Sequence, residues 1–377
     1  MIMHMPWDKN LGGPRVQIEL TEALQKRGFV LSKFDMRDAF RSNNWFIRIL
    51  SPFLFSYKVN NYLKKNCNKF DIIDAHQGNL TASKVELGFS GKLIIRSAGL
   101  YHMHIEMLNY LRQNKKGSRF KLSPTSFLVF LLENIFPMGS RVDKSFLNAD
   151  KIILHNSDEL TYARKILRLG YSKTTWIGPG LKSDYLKLLS LNYDKLYYNT
   201  KIAFIGSWLP SKGVDDLCKI INAISNNYPT IVFKILGFGI EESTIKKYLI
   251  KRHVKLTNVE LIRNYENAQL VDLLDGCKIG VSTSYTEGFG IGVLEMLAFG
   301  LPVVAYDIPG HRETIGKVAS DLLVERANWS KIVQKIEKLI GISEMKYYKL
   351  SQNGISLAKK YAVDNTVEQL IEVYNSI

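Results

Sequence analysis

The sequence predicts an α/β chain of two doubly wound, Rossmann-like domains. Three observations carry that expectation. Short apolar, β-branched runs recur along the chain with amphipathic helical segments between them, and the series occurs twice. Gly178, Pro179 and Gly180 interrupt it midway, and two glycines flanking a proline suit neither helix nor strand. The chain's 377 residues are 46% hydrophobic, enough for two cores.

The elements follow in order. Residues 2–5 read as an opening strand before Gly12 and Gly13; either the chain begins late in that strand or the strand is short. A helix is expected over 15–26. Buried parallel strands are expected at 71–73, 93–95 and 152–154, and a helix over 158–169. Asn156 reads as the cap of that last helix, with Glu159 as its reciprocal partner. These make a first domain, 1–180. A polar, tyrosine-rich stretch over 182–200 leads to strands at 202–205, 231–233, 279–281 and 303–305, with helices over 214–224 and 267–274. These make a second domain, 181–361. The tail, 344–377, reads as helix with a break near Asp364.

Composition narrows the class. Cys67, Cys218 and Cys277 lie far apart with no CxxC pair, which suits reduced core thiols in a cytoplasmic protein. Residues 1–5 are too short for a signal-peptide core, and the longest apolar run, 127–132, is far short of the roughly 20 residues that span a bilayer. The charge is lopsided: residues 1–180 carry +13 and the rest +3 of the total +16. An anionic partner is therefore expected on the first half. Arg112, Lys115, Lys116, Arg119 and Lys121 precede the apolar run at 127–132, and aromatic residues Trp45, Phe46, Phe53 and Phe55 stand close to Arg48. Basic residues interleaved with aromatics suit an anionic membrane surface. An ordinary solvated basic face over a core helix is the plainer account of the same stretches. No nucleic-acid motif is present, so nucleic acid is not expected as the anion.

The most informative stretch runs from Tyr285 to Ala305. It reads as a glycine-rich loop, a short helix and a buried strand. Glu287 stands at the loop's mouth and Glu295 inside the helix. Gly288, Phe289, Gly290 and Ile291 open that helix, so free backbone N–H groups and the positive end of the dipole face any anion there. Two carboxylates beside such a loop suit sugar hydroxyls, while the loop takes a diphosphate. Glycines before a helix are weak evidence alone, because many α/β proteins have them.

The order of these residues, however, resembles the retaining glycosyltransferases of family 4 (glycosyl transferases group 1), which share the GT-B fold. The matching pattern is Glu-Gly-Phe-Gly, an apolar stretch, a second Glu, then Gly-x-Pro-Val-Val, continued by the turn at 307–313. The resemblance implies two Rossmann-like domains facing a central cleft, the first on the acceptor side and the second binding the nucleotide-sugar. It implies that a last helix, at about 362–377, rejoins the first domain. It also implies roles: Glu287 on the donor sugar, Glu295 on the ribose, and Lys212 on the donor phosphates. Glu287 and Lys212 are thus the catalytic candidates. Gly12 and Gly13 resemble the family's first glycine loop, Gly206 and Ser207 the loop after the second domain's first strand, and Gly237 the turn near the nucleotide. Arg263, Asn264 and Tyr265 would lie near the base.

Two departures stand out. Many relatives carry an arginine after the glycine matching Gly206, and this chain has Ser207, one cation fewer. Ala98 occupies the place of a histidine near the reacting sugar, and alanine neither hydrogen-bonds a hydroxyl nor takes a proton. His102 and His104 lie just beyond it, and His76 follows another strand end. His76, Ala98 and His102 are the candidate acceptor-side positions. No Cys/His set has zinc spacing.

The resemblance implies a metal-independent enzyme that needs no cofactor, with the nucleotide-sugar as substrate. It would transfer a sugar, with retention, to a glycan or lipid-linked acceptor in cell-surface polysaccharide or lipopolysaccharide synthesis. It would work in the cytoplasm or peripherally on the inner membrane face. The alternative is a non-catalytic homologue that binds nucleotide-sugar or glycan. A nucleotide-sugar epimerase of the same fold is less well matched by the Glu287–Val304 signature.

Overall fold

A computed structural model describes residues 1–9, 12–40, 45–114, 137–182, 186 and 193–377. The chain divides into two compact units, Met1–Gly178 with Val367–Ile377, and Pro179–Thr366.

In the first unit, helices α1 (Gly12–Gln25), α2 (Met36–Ala39) and α3 (Trp45–Asn66) precede β1 (Ile72–His76). Then come α4 (Lys84–Leu87), β2 (Lys92–Arg96), α5 (Tyr101–Asn114), α6 (Met138–Asn148), β3 (Lys151–Leu154), α7 (Ser157–Lys165) and β4 (Thr174–Trp176). The four strands are parallel in the order β1-β2-β3-β4. Ile2 extends this sheet beyond β1, bridging both Ala75 and Phe34 in parallel. The opening strand is thus reduced to an isolated bridge, held by Ile2 N to Asp74 O at 2.9 Å and His76 N to Ile2 O at 3.0 Å.

The second unit holds β5 (Lys201–Ile205), α8 (Val214–Asn227), β6 (Phe233–Leu236), α9 (Glu242–Lys251), β7 (Val259–Ile262), α10 (Leu270–Leu274) and β8 (Cys277–Ser282). It continues with α11 (Ile291–Ala298), β9 (Val303–Tyr306), α12 (Pro309–Glu313), α13 (Ile315–Ala319), β10 (Leu323–Val324), α14 (Trp329–Ile340) and α15 (Glu344–Lys360). Its six strands are parallel in the order β10-β9-β8-β5-β6-β7. The last helix, α16 (Val363–Asn375), begins in the second unit and continues into the first.

Several expectations need correction. The strand expected at 231–233 is β6, Phe233–Leu236; Ile231 is buried but closes a turn onto Tyr228 O at 3.0 Å after Pro229. The helix expected over 267–274 starts as a single 3₁₀ turn and is α-helical only from Leu270. The break expected near Asp364 falls at Tyr361–Ala362, where Leu181 N bonds Tyr361 O and Val363 N bonds Leu181 O, both at 2.7 Å. Asn156 caps α7, accepting from Glu159 N at 2.7 Å, and the Glu159 carboxylate, besides its bond to Asn156, takes up Ser97 Oγ at 2.7 Å, Leu100 N at 2.9 Å and His155 N at 3.1 Å. Three short strands, β4, β7 and β10, lacked an apolar run long enough to announce them.

One buried polar group joins the ends of the first unit. Asp74 on β1 takes the Arg96 guanidinium of β2 in a fork, and Tyr374 of α16 donates to the same carboxylate at 2.8 Å. All three are at most 5% exposed. Burial alone would raise the Asp74 carboxyl, but Arg96 outweighs it and holds it below the usual carboxylate range.

Helix α3 buries Phe53 and Phe55 in the core and exposes Tyr57, Lys58, Lys64 and Lys65. Lys115, Lys116, Arg119, Lys121 and the run at 127–132 lie outside the described residues, and nothing is described of the Arg112 side chain. Among the described residues no helix is long and apolar enough to cross a membrane. The three cysteines are buried and free.

Candidate active site

The site follows from the order of the second sheet. From β5 the chain winds outward through β6 and β7, then returns to β8 on β5's other side and winds outward through β9 and β10. The order reverses between β5 and β8, and ligands of open parallel sheets bind beyond the strands' carboxyl ends at such a reversal. The loops that leave β5 and β8 carry Lys212 and Glu287.

The loop after β5 is built on its neighbour. Gly206 N bonds Leu236 O at 3.0 Å and Trp208 N bonds Phe238 O at 3.1 Å, so Gly206 and the exposed Ser207 sit at the ends of β5 and β6. A 3₁₀ turn, Pro210–Lys212, then leads through Gly213 into α8. Gly213 has φ of +65°, and a Cβ there would collide with the Thr283 carbonyl. Only glycine allows the two loops to lie this close.

Three further contacts fasten those loops. Thr283 Oγ1 donates to Lys212 O at 2.8 Å and Tyr285 N donates to Ser211 O at 2.8 Å. Lys212 Nζ donates to Glu287 Oε1, which also accepts Ser284 Oγ at 2.8 Å. The Lys212 and Glu287 side chains are 23% and 19% exposed, so the pair is shielded but reachable. Burial pushes the Glu287 carboxyl up, but the Lys212 ammonium, with help from the Ser284 hydroxyl, holds it below its ordinary value.

Helix α11 begins at the same place. Gly290, at φ of +85°, occupies its N-cap position. A Cβ on Gly292 would come within 2.8 Å of Ile205 O, so the first turn of the helix rests on the end of β5. The N–H groups that a first turn leaves unpaired therefore open beside Gly206. Phe289 is buried edge-on against Tyr361, with ring centroids 4.8 Å apart. Glu295 lies inside the helix and is 2% exposed. Beneath the loop, His311 is fully buried: its Nδ1 lies 2.7 Å from Tyr306 O and its Nε2 3.2 Å from Ser282 Oγ. A carbonyl only accepts, so Nδ1 carries a proton; burial, partly offset by Glu287, lowers the ring's pKa and so disfavours the doubly protonated form.

Lys212, Glu287, Gly206 and Gly288–Ile291 are thus gathered at one edge, with Ser207 at its rim. Gly237 follows β6 with Tyr265 against it, its Cβ direction 3.3 Å from that ring. Arg263 pairs with Glu241 at 2.8 Å. Among the described residues, no group of three His, Cys, Asp or Glu side chains is placed to hold a metal ion.

The remaining candidates belong to the first unit. Gly12 and Gly13 open α1, and His76 Nε2 lies 3.4 Å from Gln17 Oε1 of that helix. Burial, with the nearby Arg96 charge, pushes the His76 ring down to about 4, so it is neutral at pH 7. Ala98 is exposed just past β2. His102 Nε2 lies 3.0 Å from Asp143 Oδ1. The sequence reading missed Ser284, His311, Asp216, Tyr285 and Tyr306. Their only signal was proximity in sequence to Lys212, Glu287 and the turn at 307–313.

Residues 198–356 match the model of the glycosyl transferases group 1 family. An uncharacterised glycosyltransferase of Methanocaldococcus jannaschii, MJ1178, is 27% identical over 242 residues, covering 61% of this chain and 66% of that protein. The poly(glycerol-phosphate) alpha-glucosyltransferase of Bacillus subtilis is 26% identical over 278 residues, covering 69% of this chain and 40% of that protein. The matched stretch thus spans under two thirds of each relative. Anabaena HepE, solved with UDP and glucose, superposes with a TM-score of 0.65 at 16% identity, covering 100% of this chain and 98% of that one. At that identity the likeness shows the fold, GT-B. Over residues 198–356, within its second unit, this chain is thus similar to the glycosyl transferases group 1 family.

Proposed function

We propose that this chain is a retaining glycosyltransferase that moves a sugar from a nucleotide-sugar to a glycan or lipid-linked acceptor hydroxyl, in the synthesis of surface polysaccharide or lipopolysaccharide. The observation that carries the reading is the Lys212–Glu287 pair beside the open first turn of α11. One cation and a set of free N–H groups suit a diphosphate, and a shielded carboxylate beside them suits the sugar's hydroxyls. That HepE was solved with UDP and glucose supports a nucleotide-sugar as the donor class.

In this reading the bond between the sugar's anomeric carbon and the β-phosphate oxygen breaks while the acceptor oxygen bonds the same face of that carbon. The acceptor's proton passes to the departing phosphate oxygen. Lys212 and the α11 amides stabilise the charge that grows on that phosphate, the electrostatic task a metal ion performs elsewhere. Glu287 holds the sugar and Glu295 the ribose. No protein base is needed, so the exposed Ala98 is compatible with turnover.

Ser207 and Ala98 favour a second reading, a homologue that binds the donor without transferring it. One experiment separates the two. UDP-, GDP- and ADP-sugars are screened by thermal shift with EDTA present, and the stabilising donor is then incubated with lipid-linked acceptors. A ligand at 100 times its dissociation constant adds about 2.7 kcal/mol. Stabilisation with transfer supports the enzyme, and stabilisation without transfer supports the binder. Binding or transfer that needs added Mg²⁺ or Mn²⁺ sinks metal independence, and no stabilisation by any donor sinks both readings.

A further inference from the structure

Asp216 is a carboxylate that the proposed chemistry does not use. It is the third residue of α8, four past Lys212, and 3% exposed. Its Oδ2 accepts the Tyr285 hydroxyl at 2.5 Å and the Tyr306 hydroxyl at 2.8 Å, and its Oδ1 accepts Lys219 Nζ at 2.7 Å. The two tyrosine rings stack at 5.7 Å and 12°. Both hydroxyls thus converge on one carboxylate oxygen, and bonds to an ionised acceptor are about twice as strong as neutral ones. A carboxylate in a helix's first turn is also favoured by the dipole.

What the three residues join matters more than their strength. Tyr285 stands two residues before Glu287. Tyr306 ends β9, and its carbonyl fixes the His311 ring beneath the same loop. Asp216 rides on the helix that continues from Lys212. We propose that Asp216, acting through the Tyr285 and Tyr306 hydroxyls, is a positioning residue that sets Glu287 against Lys212. Its bearing on turnover rests on the transferase reading above.

Tyr285→Phe and Tyr306→Phe keep the rings and remove one hydroxyl each, so either can serve if the other fails to fold. The first readout needs no ligand. The Glu287 carboxyl is followed by carbon-13 NMR across pH, its signal assigned by its loss in Glu287→Gln. The groups facing it are Lys212 from the turn after β5, His311 from α12 and Ser284 from its own loop. In the parent the midpoint should lie below the ordinary glutamate value, and in each Phe variant it should rise as the Lys212 contact loosens. The second readout uses whichever UDP-, GDP- or ADP-sugar stabilises the parent. Turnover in Tyr285→Phe should fall roughly tenfold to a hundredfold, the scale of a misplaced group. Adding Tyr285→Phe to Glu287→Gln should cost little more, since the tie acts through Glu287. A Glu287 midpoint unmoved in both Phe variants, or losses that simply multiply, would overturn the proposal. If the midpoint moves but no sugar nucleotide binds the parent, the transferase reading falls while the tie between Asp216 and the Lys212–Glu287 pair stands.

Discussion

Lys212 and Glu287 lie 75 residues apart in sequence and are ion-paired where β5 and β8 end. Each satisfies the other without a ligand. A diphosphate arriving at the α11 amides would compete for Lys212, and the freed carboxylate would face the sugar. In the proposed reading the pair stands in for the two halves of a donor, phosphate and sugar, which makes the two residues separable by mutation.

Glu287→Gln keeps the side chain's shape and removes its charge. Turnover should fall more than donor affinity, because a contact to the reacting sugar is worth most in the transition state. Glu295→Gln should instead weaken donor affinity by roughly 1–3 kcal/mol, as ribose hydroxyls lose a charged acceptor. Steady-state kinetics with calorimetric donor binding checks both. Equal loss of turnover and affinity in both variants would argue against separate roles.

The Asp74–Arg96–Tyr374 group makes the C-terminal residues part of the first unit's stability. Tyr374→Phe should cost about 1 kcal/mol, one net hydrogen bond. Asp74→Ala should cost more, about 3–5 kcal/mol, because it strands the buried Arg96 charge. Denaturant unfolding followed by a probe in the first unit measures both. Equal costs for the two variants would mean that Arg96 finds another partner.

Much of this was legible in the sequence, for physical reasons that differ by element. Buried central strands such as β2, β3, β8 and β9 announce themselves because both faces are covered, which requires an unbroken apolar run. The edge strand β7 is only half-buried throughout and carries Glu260 inside it, so Val259–Ile262 gives no such run. Glu287 and the glycines beside it were found because one short segment fixes their spacing, and Lys212 because the loop after β5 resembles a second motif. Asp216, Tyr306 and His311 were not, because their partners are distant in sequence and each residue type is common in cores and on surfaces. The tail's helical character was plain, but its break at Tyr361–Ala362 is set by a pairing with Leu181, which no local pattern encodes.

Acid should weaken the first unit earlier than carboxylate chemistry alone would. His4 and His76 are held down to about 4 and His155 to about 3, in each case mainly by burial, with Arg141 adding at His4 and Arg96 at the other two. The unfolded rings titrate near 6.5. Between 6.5 and about 4 the unfolded chain binds protons that the folded one refuses, so stability rises with pH across that window and is lost on acidification. Asp74 and Glu287 act in the same direction at lower pH: their depressed folded values add stability above the ordinary carboxylate range, lost as pH falls through those lower values. The first unit's unfolding temperature should therefore drop between pH 6.5 and 4, and His155→Gln should flatten the slope. A flat profile over that interval in the parent protein would count against the neutral, buried rings.

Binding to anionic membranes should be electrostatic rather than insertive. The first half carries +13 of the +16 net charge. In α3, Phe53 and Phe55 are committed to the core, and the solvent-exposed positions include Lys58, Lys64 and Lys65 beside Tyr57. Surface attraction contributes about 1 kcal/mol per Lys or Arg and decays within a Debye length. At low salt the protein should cosediment with liposomes containing phosphatidylserine and leave neutral ones alone, and raising the salt should release it. Replacing Lys115, Lys116 and Arg119 with Ser should weaken the binding, and replacing Lys58, Lys64 and Lys65 should do the same independently. Binding that survives high salt would show apolar insertion and contradict the role given to α3. If the parent ignores anionic liposomes even at low salt, the basic half serves another anion, and an acidic glycan acceptor is the next to test.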